Sequence, residues 1–512
     1  MRNAFRTVLS AALISAVLTS CGAGQDPLAP GASATMIKQD MAKLYSEGDN
    51  PGTLTFEEAL ARGLRYNLDT RVAAYESLAA ADDVTIAQLE ALPNITAKWD
   101  YIGRSNRGAG SSLSVLTNTQ SLEPSISTDQ YRITKALETN WNLMDAALSV
   151  ARAKSTSDQA VISEERRRKV FENVVQDVYS AYWRCAAAQV IRPLVADLLA
   201  QTDDQISKIK QGIDQGIVVI SDARKMKSDL MARKQQMLEL QNQLATEDLS
   251  LKALIGLPPH AHLELDPGDV KWLTAERLPK VTDDTLQLET VAVMNRPEVH
   301  EEILNKDIAV RDIRLSIFET FPGADIVLDL NHDRNHFLVD HTWLSFTGEL
   351  AQSITKILTL PARYHKAKSS SALADARRQA LLAAVITEVH VARARFDYFK
   401  SDYDTVTEIE EDKRQDLTRA QSMRDAGVAG DTEVVSAALD EGIARINQNL
   451  AFAQAQEAYG QLLGSLGIDI WAGDTKGMTV PELASELKRH LADLEAGIVA
   501  APDAGKGKAS KS

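Results

Sequence analysis

Three histidines crowd the run Asn-His332-Asp-Arg-Asn-His336-Phe-Leu-Val-Asp-His341, and Asp333 and Asp340 add carboxylates beside them. Imidazole nitrogens with carboxylate oxygens are a donor set for a divalent metal. Their spacing matches no closed zinc motif, and a polar loop joining two strands accounts for the same residues, so no metal is assigned. His260-Ala-His262 lies in a proline-rich stretch and makes a weaker case. Cys185, in Val178-Tyr-Ser-Ala-Tyr-Trp-Arg-Cys185, shares a helical face with Val178 and Tyr182. That placement reads as a packed core thiol, with no base assigned to it. No glycine-rich phosphate loop follows a strand, and no Ser/His/Asp elbow is visible. These residues predict neither an enzyme nor a cofactor.

Cys21 points to a different chemistry. Arg2 and Arg6 precede an apolar core from Val8 to Val17, and Leu18-Thr19-Ser20-Cys21 follows. This is the layout of a targeting segment, and its end resembles the bacterial lipoprotein box, whose cysteine is lipidated and becomes the first mature residue. The apolar core is too short to span a bilayer as a helix. Gly22 stands where that class places an inner-membrane retention aspartate, which favours sorting outward. Residues 1–20 are read as the signal peptide and 21–52 as a lipidated tether. With Cys21 modified, Cys185 is the remaining thiol and no intrachain disulfide can form.

The formal charge is −15 over 512 residues, with no basic stripe to neutralise phosphates, which excludes nucleic acid as a partner. The run Arg166-Arg-Arg-Lys169 follows Glu164-Glu165 and reads as a solvated helix face with local ion pairs.

The elements that must position such residues come in two copies. Leu92-Pro93 recurs as Phe321-Pro322 at an offset of 229, with Val84 on Ile313, Leu89 on Phe318 and Asp100 on Asp329. Further on the offset becomes 211, where Val178 meets Val389, Gly216 meets Gly427 and Gly256 meets Gly467. The two offsets differ by 18, so the first copy carries 18 extra residues, placed in the polar stretch Asn106–Ser125. A module of this size, copied in tandem, suits architecture better than chemistry at one site.

Within each copy the apolar period changes. A helix starts after Thr55, a plausible N-cap, with Glu57 and Glu58 in its first turn, and runs to about Ala91, where Pro93 stops it. Period two follows. Ile95, Ala97, Trp99 and Tyr101 alternate with polar residues, as do Tyr131, Ile133, Leu137, Trp141 and Leu143, although Lys135 and Thr139 interrupt that face. Ile326, Leu328 and Leu330 repeat the pattern, and Leu344, Phe346 and Leu350 less regularly. The strands are placed at about 94–104, 130–143, 324–332 and 341–352. Each is about ten residues, the length of a tilted transmembrane strand, with Tyr and Trp near the ends. A small half-buried soluble sheet has the same alternation. Four strands cannot close a barrel, and an open edge in lipid costs several kcal/mol per unpaired backbone group, so spanning strands require several chains to pool them.

Between the strand pairs lie long helices with coiled-coil spacing, such as Met226, Leu230, Met237, Leu240 and Leu244. About 60 residues at 1.5 Å each reach on the order of 90 to 100 Å. Each long pair turns at a glycine-bearing segment, about 212–222 and 424–433, with Ser221 and Thr432 near the restart of the return helix.

This constellation resembles the TolC family of outer-membrane efflux factors, in its lipoprotein branch, over about residues 53–468. The resemblance rests on Leu54-Thr-Phe-Glu-Glu-Ala-Leu60 with Asn67-Leu-Asp, on Asn295-Arg-Pro-Glu-Val299, and on Leu-Pro93 before a strand. Trp141-Asn-Leu-Met-Asp145 and Leu254-Ile-Gly-Leu-Pro258 complete it. It implies a mixed membrane α/β fold: a homotrimer with a 12-stranded transmembrane β-barrel, four strands per chain, continued by a long periplasmic α-helical coiled-coil barrel. The first TolC-like repeat would be 53–256, the junction 257–284, the second repeat 285–467, and the C-terminal extension 468–512, partly disordered. The resemblance further implies an outer-membrane channel of a tripartite efflux or export system. Its partners would be a periplasmic adaptor (membrane fusion protein), an inner-membrane transporter indirectly, and outer-membrane lipid. Gly216, Ile217, Val218, Gly427, Val428 and Ala429 would form the adaptor-contacting tips, with Asp222 and Glu433 as acidic gate rings at the periplasmic mouth. Val428-Ala429 replace the basic residue that often follows the second tip glycine, and Ser436 stands at the family's second acidic position. Asp222 and Glu433 equally fit first-turn charges on a solvated face. A type I secretion channel and a non-conducting coiled-coil spacer lipoprotein are the alternatives.

Overall fold

The computed structural model describes residues 30–44, 52–121, 123–266, 278–282, 284–428, 430–471 and 477–495. Cys21 and Ala429 lie outside the described residues, as do the signal peptide and residues 496–512. The segment read as a tether contains a helix, α1 (Pro30–Leu44), exposed from Ala34 to Met41.

The first repeat opens with β1 (Thr53–Leu54) and α2 (Phe56–Tyr66). Thr55 caps α2 in a full capping box: its hydroxyl accepts from Glu58 N at 3.2 Å, and Glu58 Oε2 accepts from Thr55 N at 3.1 Å. The helix expected to run unbroken to Ala91 stops at Asn67 instead. Asn67 is extended (φ −63°, ψ 135°), and its Oδ1 accepts from Asp69 N (2.8 Å) and Thr70 N (3.4 Å), so one side chain ends α2 and starts α3 (Leu68–Leu89). The second repeat breaks at the equivalent place. There α7 (Thr285–Asn295) gives way at Arg296 to α8 (Pro297–Phe318), with proline at the first helical position, where no backbone donor is lost.

After these helices come β2 (Asn94–Gly103) and β5 (Tyr131–Asn142) in the first repeat, and β7 (Gly323–Asp333) and β8 (Thr342–Ala351) in the second. They form one antiparallel sheet in the order β2-β5-β7-β8. The extra residues of the first copy fold into an arm above the sheet, where β3 (Ala109–Gly110) pairs with β4 (Ser125–Ile126). In the junction, β6 (Glu264–Leu265) runs parallel to β1.

The long helices are α4 (Leu143–Asp214), with 72 residues, and α10 (Leu360–Asp425), with 66, entered through the short α9 (Ile354–Leu358). At 1.5 Å per residue each is about 100 Å long. They return as α5 (Ile220–Leu244), followed by α6 (Glu247–Leu254), and as α11 (Asp431–Ser465). The stripe read on α5 divides: Met237 and Leu244 are buried, whereas Met226 is 38% exposed.

The core sits where the repeats meet. Tyr179, Tyr182 and Trp183 of α4 gather around Phe56, with Phe56–Tyr179 ring centroids 4.9 Å apart, and Trp183 packs edge-on against Phe452 of α11. Full burial of such a side chain contributes about 1.5–3 kcal/mol. Cys185 is fully buried among them, and burial raises its pKa, with the Asp248 carboxylate 3.6 Å from its sulfur acting in the same direction. It is an inert thiol. The C-terminal extension adds α12 (Val480–Glu495), which lays Leu483, Ala484 and Leu487 against α2 and brings Lys488 within 3.7 Å of Glu57.

Candidate functional site

The sheet has two chemically opposite faces. Directly paired residues share a face, so the registers group the side chains without ambiguity. On one face lie Ile95, Trp99 and Tyr101 of β2, Ile133, Leu137 and Trp141 of β5, Ile326, Leu328 and Leu330 of β7, and Leu344, Phe346 and Leu350 of β8. Trp99, Tyr101, Phe346 and Leu350 are 70 to 76% exposed, so none of the described residues covers this face. The irregularity of the fourth run has a simple cause: Gly348, opposite Ile326, leaves one gap in an otherwise continuous apolar row. Lys135, which interrupts the face in the sequence, lies near the loop end of the sheet with its ammonium 5.2 Å from the Trp99 ring centroid. Tyr101 and Tyr131 stack beside it, 6.4 Å between centroids.

The opposite face is polar. Lys98 pairs with Glu138, Asn142 donates to Asp325 (2.8 Å), Asn331 donates to Ser345 (2.8 Å), and Arg132 pairs with Asp333 (3.0 Å). By register, Asp100, Glu138, Asp325, Asp329, Asp333 and Glu349 share this face with only Lys98 and Arg132 as bases. The excess is acidic.

The three histidines converge on nothing. His332 Nδ1 meets Thr342 Oγ1 at 2.8 Å, His341 Nδ1 meets the Asp333 carbonyl at 3.0 Å, and His336 pairs with Asp129 in the other hairpin. Among the described residues no group of three or more His, Cys, Asp or Glu could hold a metal ion. Asn335 extends the junction, donating to the Ser127 carbonyl (3.1 Å) and accepting from Asp129 N (3.0 Å). Sequence reasoning missed this clasp, because its partners lie some 207 residues apart and no local pattern links them.

At the far end of the helices, both tip glycines close Schellman turns. Gly216 (φ +68°) donates to Ile213 O (3.1 Å) and Ile217 to Gly212 O (3.0 Å). Gly427 (φ +72°) donates to Arg424 O (2.8 Å) and Val428 to Met423 O (2.9 Å). Ile217 and Val428 are more than 70% exposed, and Val218 is 41% exposed. The return helices start one residue before Ser221 and Thr432, with Val219 and Gly430 at the N-caps and no side-chain cap bond. Asp222 and Glu433 are exposed first-turn residues; Ser221 donates to Asp222 (3.2 Å), and Glu433 lines a cleft with Arg419, Ser436 and Asp440. Asp440 pairs with Arg233, an ion pair between the two return helices that the sequence did not signal.

The basic run is more than a solvated face. Arg167 pairs locally with Glu164, but Arg166 reaches Glu301 (2.5 Å), Lys169 reaches Glu298 (2.8 Å) and Arg168 reaches Asp469 (2.7 Å), joining α4 to α8 and to the start of the C-terminal extension. Burial opposes ionisation of Glu298, but Arg296 and Lys169 outweigh it and hold its pKa at about 2. Glu172 is the exception. It is buried, its nearest cation is Lys169 at 3.9 Å, and neither oxygen has a hydrogen-bond partner among the described residues. Burial pushes its pKa up to about 8, against Lys169 and helped by Asp469. A raised carboxylate pKa costs stability from about pH 4.5 upward, with the full cost present above about pH 8. Glu172→Gln is therefore expected to raise the thermal midpoint most at pH 8–9 and least near pH 5. Melting curves across that range test it, and an advantage that shrinks with rising pH would contradict it.

Residues 59–257 match the sequence model of the family described as outer membrane efflux protein. The first repeat thus matches the outer membrane efflux protein family, and the whole chain has the fold of TolC-like outer-membrane channels. Its fold is similar to that of the CmeC outer membrane channel of Campylobacter jejuni (TM-score 0.63, 13% identity, 88% of this chain and 95% of that one). It is also similar to that of the MtrE outer membrane channel of Neisseria gonorrhoeae in its open state (TM-score 0.61, 14% identity, 80% and 88%). The outer-membrane channel OprN aligns with TM-score 0.61, 16% identity, and 80% and 89% coverage. No curated protein matches the chain by sequence. Among the described residues no helix is long and apolar enough to cross a membrane.

Proposed function

We propose that three copies of this chain pool their sheets into a 12-stranded barrel in the outer membrane. Their long helices continue it as a periplasmic tunnel, and the whole is the passive exit duct of a tripartite efflux or export system. The observation that carries the reading is the two-faced sheet: an uncovered apolar face fit for lipid and an acidic face fit for an aqueous lumen. Its edges, β2 and β8, leave backbone groups that only a neighbouring strand can satisfy in a bilayer, at several kcal/mol each. Twelve strands leave a lumen, which four cannot. An outer-membrane channel of this kind makes and breaks no bonds; energy comes from the inner-membrane transporter through a periplasmic adaptor. The adaptor would dock on the exposed tips at Gly216, Ile217, Val218, Gly427 and Val428 and on Ala429, which follows Val428 in the sequence. Lipid on Cys21 would tether the start of the chain to the outer membrane.

Asp222 and Glu433, each six residues after a tip glycine, are proposed as acidic rings at the periplasmic mouth. Three inward carboxylates per ring concentrate negative potential where the passage is narrowest. Replacing both with alanine is expected to lower cation-over-anion permeability several-fold in reversal-potential measurements. Unchanged selectivity would remove them from the mouth.

A further inference from the structure

The first repeat's extra residues form an arm, and its tip is the most exposed apolar feature of the described chain. Beyond the β3–β4 pair, Ser121 N donates to Ser112 O (2.8 Å) and Ser114 N to Thr119 O (2.9 Å), and Asn118 takes a left-handed turn (φ 52°). Val115 and Leu116 at the tip are 98% and 96% exposed. Two aliphatics held outward on an ordered hairpin are poorly explained by solvent alone.

A matching feature lies on the other hairpin. The β7–β8 loop spends its early residues on its own chain: Arg334 N donates to Ile133 O (3.1 Å), and Asn335 and His336 clasp Ser127 and Asp129. Phe337 still borders Ile126 and Tyr131 of the first hairpin, but Val339 beyond it is 96% exposed. The order β2-β5-β7-β8 places these late residues towards β8, the sheet edge that a closed barrel joins to β2 of the next copy. In such a ring each β7–β8 loop stands between two arms, its own and a neighbour's, about two strand spacings or about 10 Å from each. The side towards its own arm is taken by the polar clasp. Val339 is left outside that clasp.

We infer that Val115 and Leu116 of one copy seat on Val339 of the adjacent copy. The exterior rim is then a closed girdle, with polar clasps within each chain alternating with apolar contacts between chains. This rests on the trimeric duct proposed above. It assigns a role to the 18 extra residues, which have no counterpart in the second repeat.

The test is a cysteine pair, Leu116→Cys with Val339→Cys, in the full-length protein purified in detergent, with buried Cys185 left in place. Mild oxidation is expected to convert the double variant to covalent dimers and trimers on non-reducing gels, while each single variant stays monomeric, because a disulfide needs Cα atoms within about 7 Å. A double variant that is trimeric by native mass yet does not cross-link between chains overturns the girdle and leaves the duct intact. Cross-linking of Leu116→Cys alone also overturns it, by placing the three tips against one another. A native mass of one chain overturns both readings.

Discussion

Phe346→Arg is expected to abolish assembly in the outer membrane, whereas Thr347→Arg, one residue on, leaves assembly intact. The two side chains leave the same strand on opposite faces: Phe346 opposes Leu328 in the uncovered apolar row, and Thr347 opposes Val327 on the face that carries Asp325 and Asp329. An arginine at the bilayer midplane of a barrel costs about 2–4 kcal/mol, and three copies multiply that cost. The same charge on a lumen face stays in water and should shift ion selectivity towards anions. Membrane fractionation with heat-modifiability on gels reads the first effect, and reversal potentials read the second. Equal assembly of the two variants would mean that the apolar face is not in lipid.

The second large effect is expected at a pair of glycines that do the same job in each repeat. Gly256 (φ +71°) and Gly467 (φ +63°) end the return arms and press against the helix breaks at Tyr66 and Arg296. A Cβ at Gly467 would lie 2.9 Å from the Arg296 Cα and backbone nitrogen, and one at Gly256 would lie 2.7 Å from Tyr66 Cβ. A methyl group at either position adds a left-handed penalty to a clash that side-chain rotation cannot relieve. Gly467→Ala and Gly256→Ala are each expected to destabilise by roughly 2–5 kcal/mol. Gly216→Ala is the control. It has the same backbone sign but no atom within 4 Å among the described residues, and is expected to cost only about 1–2 kcal/mol. Equal losses at Gly216 and Gly467 in thermal or denaturant unfolding would show that conformation alone, without the packed joint, accounts for these glycines.

These glycines also show what was legible in the sequence. Gly216 with Gly427 and Gly256 with Gly467 were paired by a single offset, and all four have positive φ, so the duplication copied backbone devices as well as hydrophobic pattern. Pro93 and Pro322 stop helices by losing a donor, which needs no tertiary information, and the period-two runs lie in strands. Other features were hidden for physical reasons. The break at Asn67 depends on one side chain bonding two backbone donors, and the flanking residues are good helix formers. Gly348 made β8 read as irregular, because a missing side chain looks like a lost period until its neighbours are known. The cross-repeat ties Arg166–Glu301, Arg233–Asp440 and Asp129–His336 join residues far apart in the chain, where a charge run shows only its local partners. At the tips, Asp222 and Glu433 are exposed acids, and the role proposed for them depends on copies of the chain that one sequence does not display.

In the proposed duct, copies of the chain share their strands to enclose water within lipid. Purified protein added to a planar lipid bilayer measures it most directly. The polar face carries six acidic residues against two basic ones, so discrete conductance steps with a reversal potential favouring cations are expected. A bilayer that stays electrically silent, with the protein demonstrably inserted and correctly folded, would contradict the duct and favour a spacer.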